Sequence, residues 1–202
     1  MTAFAVRGRS GQARVRAAAV AGIVGPASFV SGWIAGAMLT ERQYSSIDDA
    51  ISRLAAIGAD TRPVMTAGFV GFGIGLPLYA WSLRRSLAGT AWIAAAATGI
   101  ATLAVAATPL DHSLAVDRWH AIFAGLGYVT LAATPLLAAR PLLHAGHRAL
   151  ARAGIAAGSI SAVSLALTTT GHASGLFQRT GLTVVDAWVV ASALGMARSR
   201  TS

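Results

Sequence analysis

Long apolar stretches, uncharged except for Asp186 in the last one, alternate along the chain with short charged connectors. The apolar stretches cover residues 17–39, 63–83, 87–110, 120–139, 153–171 and 182–197. Most reach the roughly 20 residues that a helix needs to cross a hydrocarbon core of about 30 Å, and the last is short unless it begins near Thr180. The pattern predicts an all-α polytopic membrane bundle of six transmembrane helices.

The charged residues are divided by sign between two sets of connectors. All seven carboxylates fall on or near one side, and eleven arginines occupy segments without any acidic residue. These arginines are Arg7, Arg9, Arg14, Arg16, Arg84, Arg85, Arg140, Arg148, Arg152, Arg198 and Arg200. Cytoplasmic connectors are enriched in basic residues, so the division places both termini in the cytoplasm and makes the number of spans even. We expect a basic tail over 1–16, the transmembrane domain over 17–198 and a cytoplasmic tail over 199–202.

The first apolar stretch has a second interpretation. Arg7 to Arg16 is similar to the basic region of a signal peptide, and Ala35-Gly36-Ala37 is similar to a small-residue cleavage site. The apolar core is longer than a signal peptide requires, which favours a retained span. Cleavage would leave five spans.

Composition supports a membrane protein and excludes several other classes. The chain is 55% hydrophobic and 11% charged, far from a soluble average. The net charge of +9 is spread in small groups of arginine without a basic helix face, which favours contact with anionic lipid head groups over nucleic acid. Without cysteine, neither a disulfide nor a thiolate site is available.

Small residues four positions apart recur in the predicted spans. The pairs are Gly32/Gly36, Gly71/Gly75 and Gly154/Gly158. Such pairs let helices approach closely in lipid. They predict tight packing within the bundle and leave self-association through helix faces open.

The longest connector of the carboxylate-bearing side predicts a helix of its own. Ile47, Ile51 and Leu54 recur at helical spacing, Ser46 is a candidate N-cap and Gly58 a candidate stop. We expect a short amphipathic helix over residues 44–58 that lies at the outer interface or roofs the bundle.

Polar residues that could carry chemistry concentrate on the same side. Asp111, His120 and Asp186 are the candidate catalytic residues, and Tyr44, His172 and Arg179 are the candidate substrate-binding residues. Asp186 lies about one turn inside an apolar span, where an ionised carboxylate requires a partner. An ion pair with Arg179, seven residues earlier, is the first interpretation, and a neutral proton donor is the second.

Three reaction classes can be compared on these residues. His112, His120 and His172 offer metal ligands, but their spacing matches no metal motif, and we expect neither a metal nor another cofactor. Serine nucleophiles such as Ser174 lack the local motif of a nucleophile elbow. Acid-initiated chemistry on a lipid or prenyl chain would use a neutral outer carboxyl.

Short motifs along the chain provide a resemblance. They are Tyr44-Ser45, Ile51-Ser52-Arg53-Leu54, the span from Met65 to Gly75, Pro109-x-Asp111, His120 and Gly175-Leu176-Phe177-Gln178-Arg179 with Trp188. In this order they resemble the bacterial six-helix membrane proteins catalogued as domain of unknown function 998, from about Ala17 to Arg198. An aromatic residue often precedes the Pro-x-Asp element in that family, and Thr108 stands there in this chain.

The resemblance implies a fold and a site without implying a reaction. It implies six helices and an outward cluster of Tyr44, Asp111, His120 and Arg179. The expected location is the inner or plasma membrane of a bacterium.

A lipid-binding function follows best from these features taken together. We expect a multi-pass membrane protein that binds or processes a lipid-like molecule in an outward-facing polar pocket, with catalysis left open. The first alternative is a non-catalytic scaffold or regulatory partner of other envelope proteins. The second is a small transporter that acts as a dimer.

Overall fold

Six helices build the protein in the computed structural model, which describes residues 9–198. They are α1 (Arg9–Leu39), α2 (Arg62–Ser86), α3 (Ala91–Ala107), α4 (Leu114–His144), α5 (Arg148–Leu167) and α6 (Ser174–Arg198). Two short 3₁₀ helices, Ile51–Ala55 and Thr168–Thr170, complete the described residues, which contain no strand. The predicted all-α bundle is confirmed. The first eight and last four residues of the predicted tails lie outside the described part.

Five of the six helices are long and apolar enough to cross a membrane, and α3 is the exception. The sequence predicts a third span over residues 87–110, whereas α3 is only 17 residues long. Gly89 adopts φ 95° in the turn before it, and the helix ends before Pro109, which cannot continue it. The helices α1 and α4, at 31 residues each, extend beyond their predicted spans.

The helices form a closed ring in chain order. Each helix packs against the next one along the chain, and α6 packs against α1 to close the ring. Because each connector joins two helices that pack side by side, neighbouring helices run in opposite directions. The ring therefore has two different ends, one with the arginine-only connectors and one with the mixed-charge connectors, here called the arginine end and the acidic end.

Glycines bring α1 and α2 into backbone contact. A Cβ atom on Gly75 would lie 2.8 Å from the Cα of Gly25 and 2.9 Å from the carbonyl oxygen of Ala21. Gly32 likewise faces the Cα of Gly68, at 3.1 Å from the position of its missing Cβ. The small-residue pairs thus serve packing inside the chain.

The half of the ring towards the arginine end is filled by large side chains. Tyr79, Leu76 and Met196 are at most 1% exposed. The Tyr79 hydroxyl is 2.6 Å from the hydroxyl of Ser192 on α6, which satisfies both polar groups in the apolar interior.

The connector over residues 40–61, here called the roof loop, differs from its prediction. It contains turns and a five-residue 3₁₀ helix, and the expected amphipathic α-helix is absent. Ile51 and Leu54 are buried at 1% and 2% exposure as predicted, whereas Ile47 is 56% exposed. The predicted helix is therefore wrong, and of its two predicted positions the segment occupies the one over the bundle, against α1, α2 and α6.

Side chains of the roof loop explain this difference. The backbone N–H of Ser45 donates to Asp49 Oδ2 at 2.8 Å, and the hydroxyl of Ser45 donates to Asp48 Oδ2 at 2.9 Å. Such local side-chain bonds compete with the bonds of a helix. The turn therefore begins at Ser45, and the predicted N-cap at Ser46 is wrong.

Candidate functional site

Arg179 fastens the roof loop to the acidic end of α6. Its Nη1 donates to three backbone carbonyls, those of Ser46, Asp49 and Gly175, at 2.8, 3.1 and 2.9 Å. Its Nη2 donates to the Tyr44 hydroxyl. The guanidinium is thus hydrogen-bonded mainly to the roof loop, and Arg179 is only 7% exposed.

Two aromatic rings flank this guanidinium. Its central carbon lies 5.3 Å from the centre of the Trp33 ring and 5.6 Å from that of Tyr44, within the range of cation–π attraction. Burial raises the pKa of the Tyr44 phenol, and the charge of Arg179 opposes that rise. Tyr44 is therefore a neutral phenol at physiological pH, and it accepts a hydrogen bond from Arg179.

Further contacts hold the roof loop at both of its sides. The backbone N–H of Ile57 donates to the carbonyl of Leu110 at 2.9 Å, and Arg53 pairs with Asp111 at 2.9 Å. On the other side, the N–H of Leu176 donates to the carbonyl of Ile47 at 2.8 Å. The loop is consequently anchored to the α3–α4 connector and to the start of α6.

A partly open cavity of about 60 Å³ lies beneath the roof loop, inside the ring. Five aromatic side chains form much of its wall: Phe29, Phe69, Phe72, Phe123 and Tyr128. Its polar lining residues are Ser52, Thr98, Thr102, His120, Gln178 and Asp186. The cavity therefore combines an aromatic wall with a small set of hydrogen-bonding groups, as ligand sites do.

Asp186 is the most unusual residue of the wall. It is 3% exposed, and neither carboxylate oxygen has a hydrogen-bond partner among residues 9–198. A buried polar group without a partner is rare, because its lost hydration is not replaced. Asp186 lines the cavity, and its carboxyl group has unmet hydrogen-bonding capacity.

His120 presents a second unmet group to the same cavity. Its Nδ1 is 2.6 Å from the carbonyl oxygen of Thr108, and since a carbonyl only accepts, Nδ1 carries the proton. In a neutral imidazole this leaves Nε2 as an acceptor. Nε2 has no hydrogen-bond partner within the described chain.

Most other polar lining groups are already satisfied. The side chain of Gln178 accepts from the N–H of Ile51 at 2.8 Å and donates to the Tyr128 hydroxyl. The hydroxyls of Thr98 and Thr102 donate to backbone carbonyls of α3, each at 2.9 Å. Asp186 and His120 thus differ from Gln178, Thr98 and Thr102, whose side chains are bonded within the chain.

The structure separates the six predicted site residues into three groups. His120 and Asp186 line the cavity. Tyr44, Arg179 and Asp111 belong to the anchoring of the roof loop, and His172 is exposed in the connector before α6. The ion pair predicted between Arg179 and Asp186 is wrong, because among the described residues the only salt bridge joins Arg53 to Asp111.

Sequence reasoning missed the aromatic wall and Tyr128. The sequence does not distinguish a phenylalanine that faces lipid from one that faces the core or a cavity. Tyr128 carried a usable signal, because a tyrosine in mid-span needs a partner for its hydroxyl. That partner is Gln178, the residue next to Arg179.

No group of three or more His, Cys, Asp or Glu residues in the described part of the chain is arranged to hold a metal ion. His120, Tyr128 and Asp186 are the titratable side chains that line the cavity.

Comparison with known proteins identifies a family and no characterised relative. A family model described as "Protein of unknown function (DUF998)" matches residues 23–195. No curated protein matches the chain, and no solved structure does.

Proposed function

The chain belongs to this family of unknown function, and we propose that it binds a lipid-like molecule whose polar end enters the cavity beside His120 and Asp186. The observation that carries this proposal is the pair of unmet polar groups on one cavity wall. A buried carboxyl without a partner destabilises the protein. A ligand that supplies the missing hydrogen bonds would offset that cost.

The size of the cavity limits what enters it. About 60 Å³ accommodates a few heavy atoms, whereas drug-sized ligands occupy roughly 300 Å³ or more. The polar end of an amphiphile therefore fits, and an acyl chain does not. Phe123, Ala124 and Gly127 line the cavity while half-buried themselves, so the chain would leave on the α4 side towards the surrounding lipid.

Orientation in the membrane is part of the same proposal. The described arginines of the arginine-only connectors lie at one end of the ring, as expected for the cytoplasmic side of a bacterial inner or plasma membrane. Both termini would then be cytoplasmic, and the cavity would face outwards. Single cysteines introduced at Ser45 and Ser174 should react with an impermeant thiol reagent in intact cells, while ones at Ser10 and Arg85 should not. Labelling at Arg85 would reverse the proposed orientation.

Lipid mass spectrometry of the purified protein tests the binding function. Gly127→Leu fills the cavity, because Gly127 lines it and a Cβ there meets only the Ala101 Cβ at 3.7 Å. Gly125→Leu is the matched control, since Gly125 is exposed on the same helix with no atom within 4 Å of its Cβ position. We expect a specific lipid to co-purify with the wild type and with Gly125→Leu, and to be lost from Gly127→Leu.

The outcome also separates the alternatives. Equal lipid content in the wild type and both variants would remove the cavity from the function. The non-catalytic scaffold would then be the better proposal, with the exposed helix faces as its contact surface. Binding that survives only in the wild type and Gly125→Leu supports the cavity as the site.

A further inference from the structure

From the unmet groups of the cavity we infer that its ligand carries a primary alkylammonium group, which binds between the Asp186 carboxylate and the aromatic wall. The inference rests on the proposed binding function and names the chemical class of the polar end. It applies equally to an aminolipid head group and to a small free amine.

Hydrogen-bonding capacity is the first argument for an ammonium. The unmet acceptors of the cavity are the two oxygens of Asp186 and Nε2 of His120. One amide hydrogen of Gln178 is donated to Tyr128, and the hydroxyls of Thr98 and Thr102 are donated to backbone carbonyls. The second amide hydrogen of Gln178 is not donated to Asp186. The hydroxyls of Ser52 and Tyr128 keep a hydrogen each, and neither bonds to Asp186. An ammonium supplies three donors and no acceptor, which complements this surplus.

Charge is the second argument. No arginine among residues 9–198 lines the cavity, and the guanidinium of Arg179 is directed to the roof loop. Asp186 is consequently the one lining residue that can carry a full negative charge, and nothing in the described wall neutralises it. Ionised Asp186 would repel an anionic head group, whereas a cation forms with it the ion pair that the described chain does not provide.

The aromatic wall is the third argument. Phe29 lies 5.9 Å from Phe69 and 5.3 Å from Phe72 between ring centres, so three rings form one continuous side of the cavity. Ring faces attract ammonium groups electrostatically, most strongly where water is excluded. Amine sites combine a carboxylate with aromatic rings, and both line this cavity.

Cavity volume restricts the head group to a small one. Since one water molecule takes about 30 Å³ of liquid, about 60 Å³ admits a group of a few heavy atoms. A terminal aminoethyl group is of this size. A sugar or a bulky branched head group is larger than the space available.

Titration of the purified full-length protein in uncharged maltoside micelles at pH 7 tests the inference. The probes are dodecylammonium and butylammonium chloride, each compared with its neutral isostere, dodecanol or butanol. We expect saturable binding of dodecylammonium, seen as released heat and a raised melting temperature, at affinity about tenfold or more above that of dodecanol. Asp186→Asn should abolish the preference for the amine, while Asp48→Asn, an exposed carboxylate of the roof loop, should keep it.

Each outcome has a defined meaning. Equal binding of dodecylammonium and dodecanol would overturn the ammonium inference and leave the lipid-binding function standing. Failure of both amphiphiles to bind would overturn both. Butylammonium binding as tightly as dodecylammonium supports the inference with a small free amine as the source, and binding of dodecylammonium alone supports it with a lipid as the source. The wild-type comparison needs no variant, so poor folding of Asp186→Asn would not obscure the result.

Discussion

The two halves of the ring are built on opposite principles. Towards the arginine end, large buried side chains and glycine contacts fill the interior, and the Tyr79–Ser192 pair is fully bonded. Towards the acidic end, a cavity remains, and among the described residues the Asp186 oxygens and His120 Nε2 have no hydrogen-bond partner. Natural proteins keep unsatisfied buried groups mainly where function requires them. The half towards the arginine end therefore stabilises the fold, whereas the half towards the acidic end lowers its stability.

The largest expected loss of stability is for a change in the half of the ring towards the arginine end. Gly75→Leu would force its Cβ against the backbone of Gly25 and Ala21, which no rotamer change relieves. We expect a loss of about 3 kcal/mol or more and little folded protein in detergent. Gly125→Leu, which meets no atom within 4 Å, should be neutral. Size-exclusion profiles and melting temperatures of the two variants check this, and equal stability would show that α1 and α2 can separate freely.

The next effect concerns the attachment of the roof loop. Arg179→Gln removes the guanidinium that donates to the carbonyls of the loop, and bonds to charged donors contribute about 1.5–3 kcal/mol. Hydrogen exchange over residues 44–55 should accelerate about tenfold or more, while exchange over 72–83 stays unchanged. Arg62→Gln is the control, since its exposed side chain makes no hydrogen bond among the described residues. Uniform acceleration in both segments would contradict the division into two halves.

A smaller effect, a gain in stability, is expected for a change in the wall of the cavity. Asp186→Leu replaces an unpartnered carboxyl with an apolar group beside empty space, which should stabilise the unliganded protein by about 1–2 kcal/mol. The same variant should lose any bound amphiphile. Thermal unfolding in detergent measures the gain, and a lower melting temperature would show that the carboxyl has a stabilising partner.

Combining changes at Asp186 and Arg179 refines the same test. Because the two residues share no contact, Asp186→Asn and Arg179→Gln should have additive effects on the melting temperature. A double variant with a higher melting temperature than either single variant would support the ion pair that the sequence suggested.

The smallest effect is a pH dependence at the margin of the roof loop. Hydrogen bonds, chiefly from the backbone N–H of Glu41 at 2.7 Å, lower the pKa of Asp60. A carboxyl with a lowered pKa in the folded state adds stability above its unfolded pKa of about 3.9, and that stability disappears as the pH falls through the folded pKa. The melting temperature of the wild type should therefore exceed that of Asp60→Asn slightly at pH 6, and the difference should vanish at lower pH. A difference that grows on acidification would show the opposite shift.

The sequence was sufficient for the helices because their signal is local. Each span is an uninterrupted apolar stretch, and the membrane requires such stretches to be helical. Their ends were less predictable. The helix α6 begins at Ser174, well before the predicted 182, because the polar side chains of Gln178 and Arg179 are satisfied by the roof loop and remain inside the helix.

The candidate site was harder to predict because it depends on contacts between distant residues. Arg179 and Asp186 are seven residues apart, which is two helical turns or about 10 Å. The Arg179 guanidinium donates to carbonyls of the roof loop instead of to Asp186. Helical spacing alone could not reveal that competition. His120 and Asp186 were found by their chemistry, whereas their shared cavity required the ring itself.

The chain order of the ring has a consequence for biosynthesis. Helices that neighbour each other in sequence also pack together, so each pair can associate soon after it enters the membrane. The contact of α6 with α1 is different, because it joins the two extremes of the chain and must form last. Gln178, Arg179 and Asp186 all lie on α6. The cavity and the attachment of its roof are therefore completed only by α6, and a nascent chain that has inserted the first five helices lacks the α6 wall of the cavity.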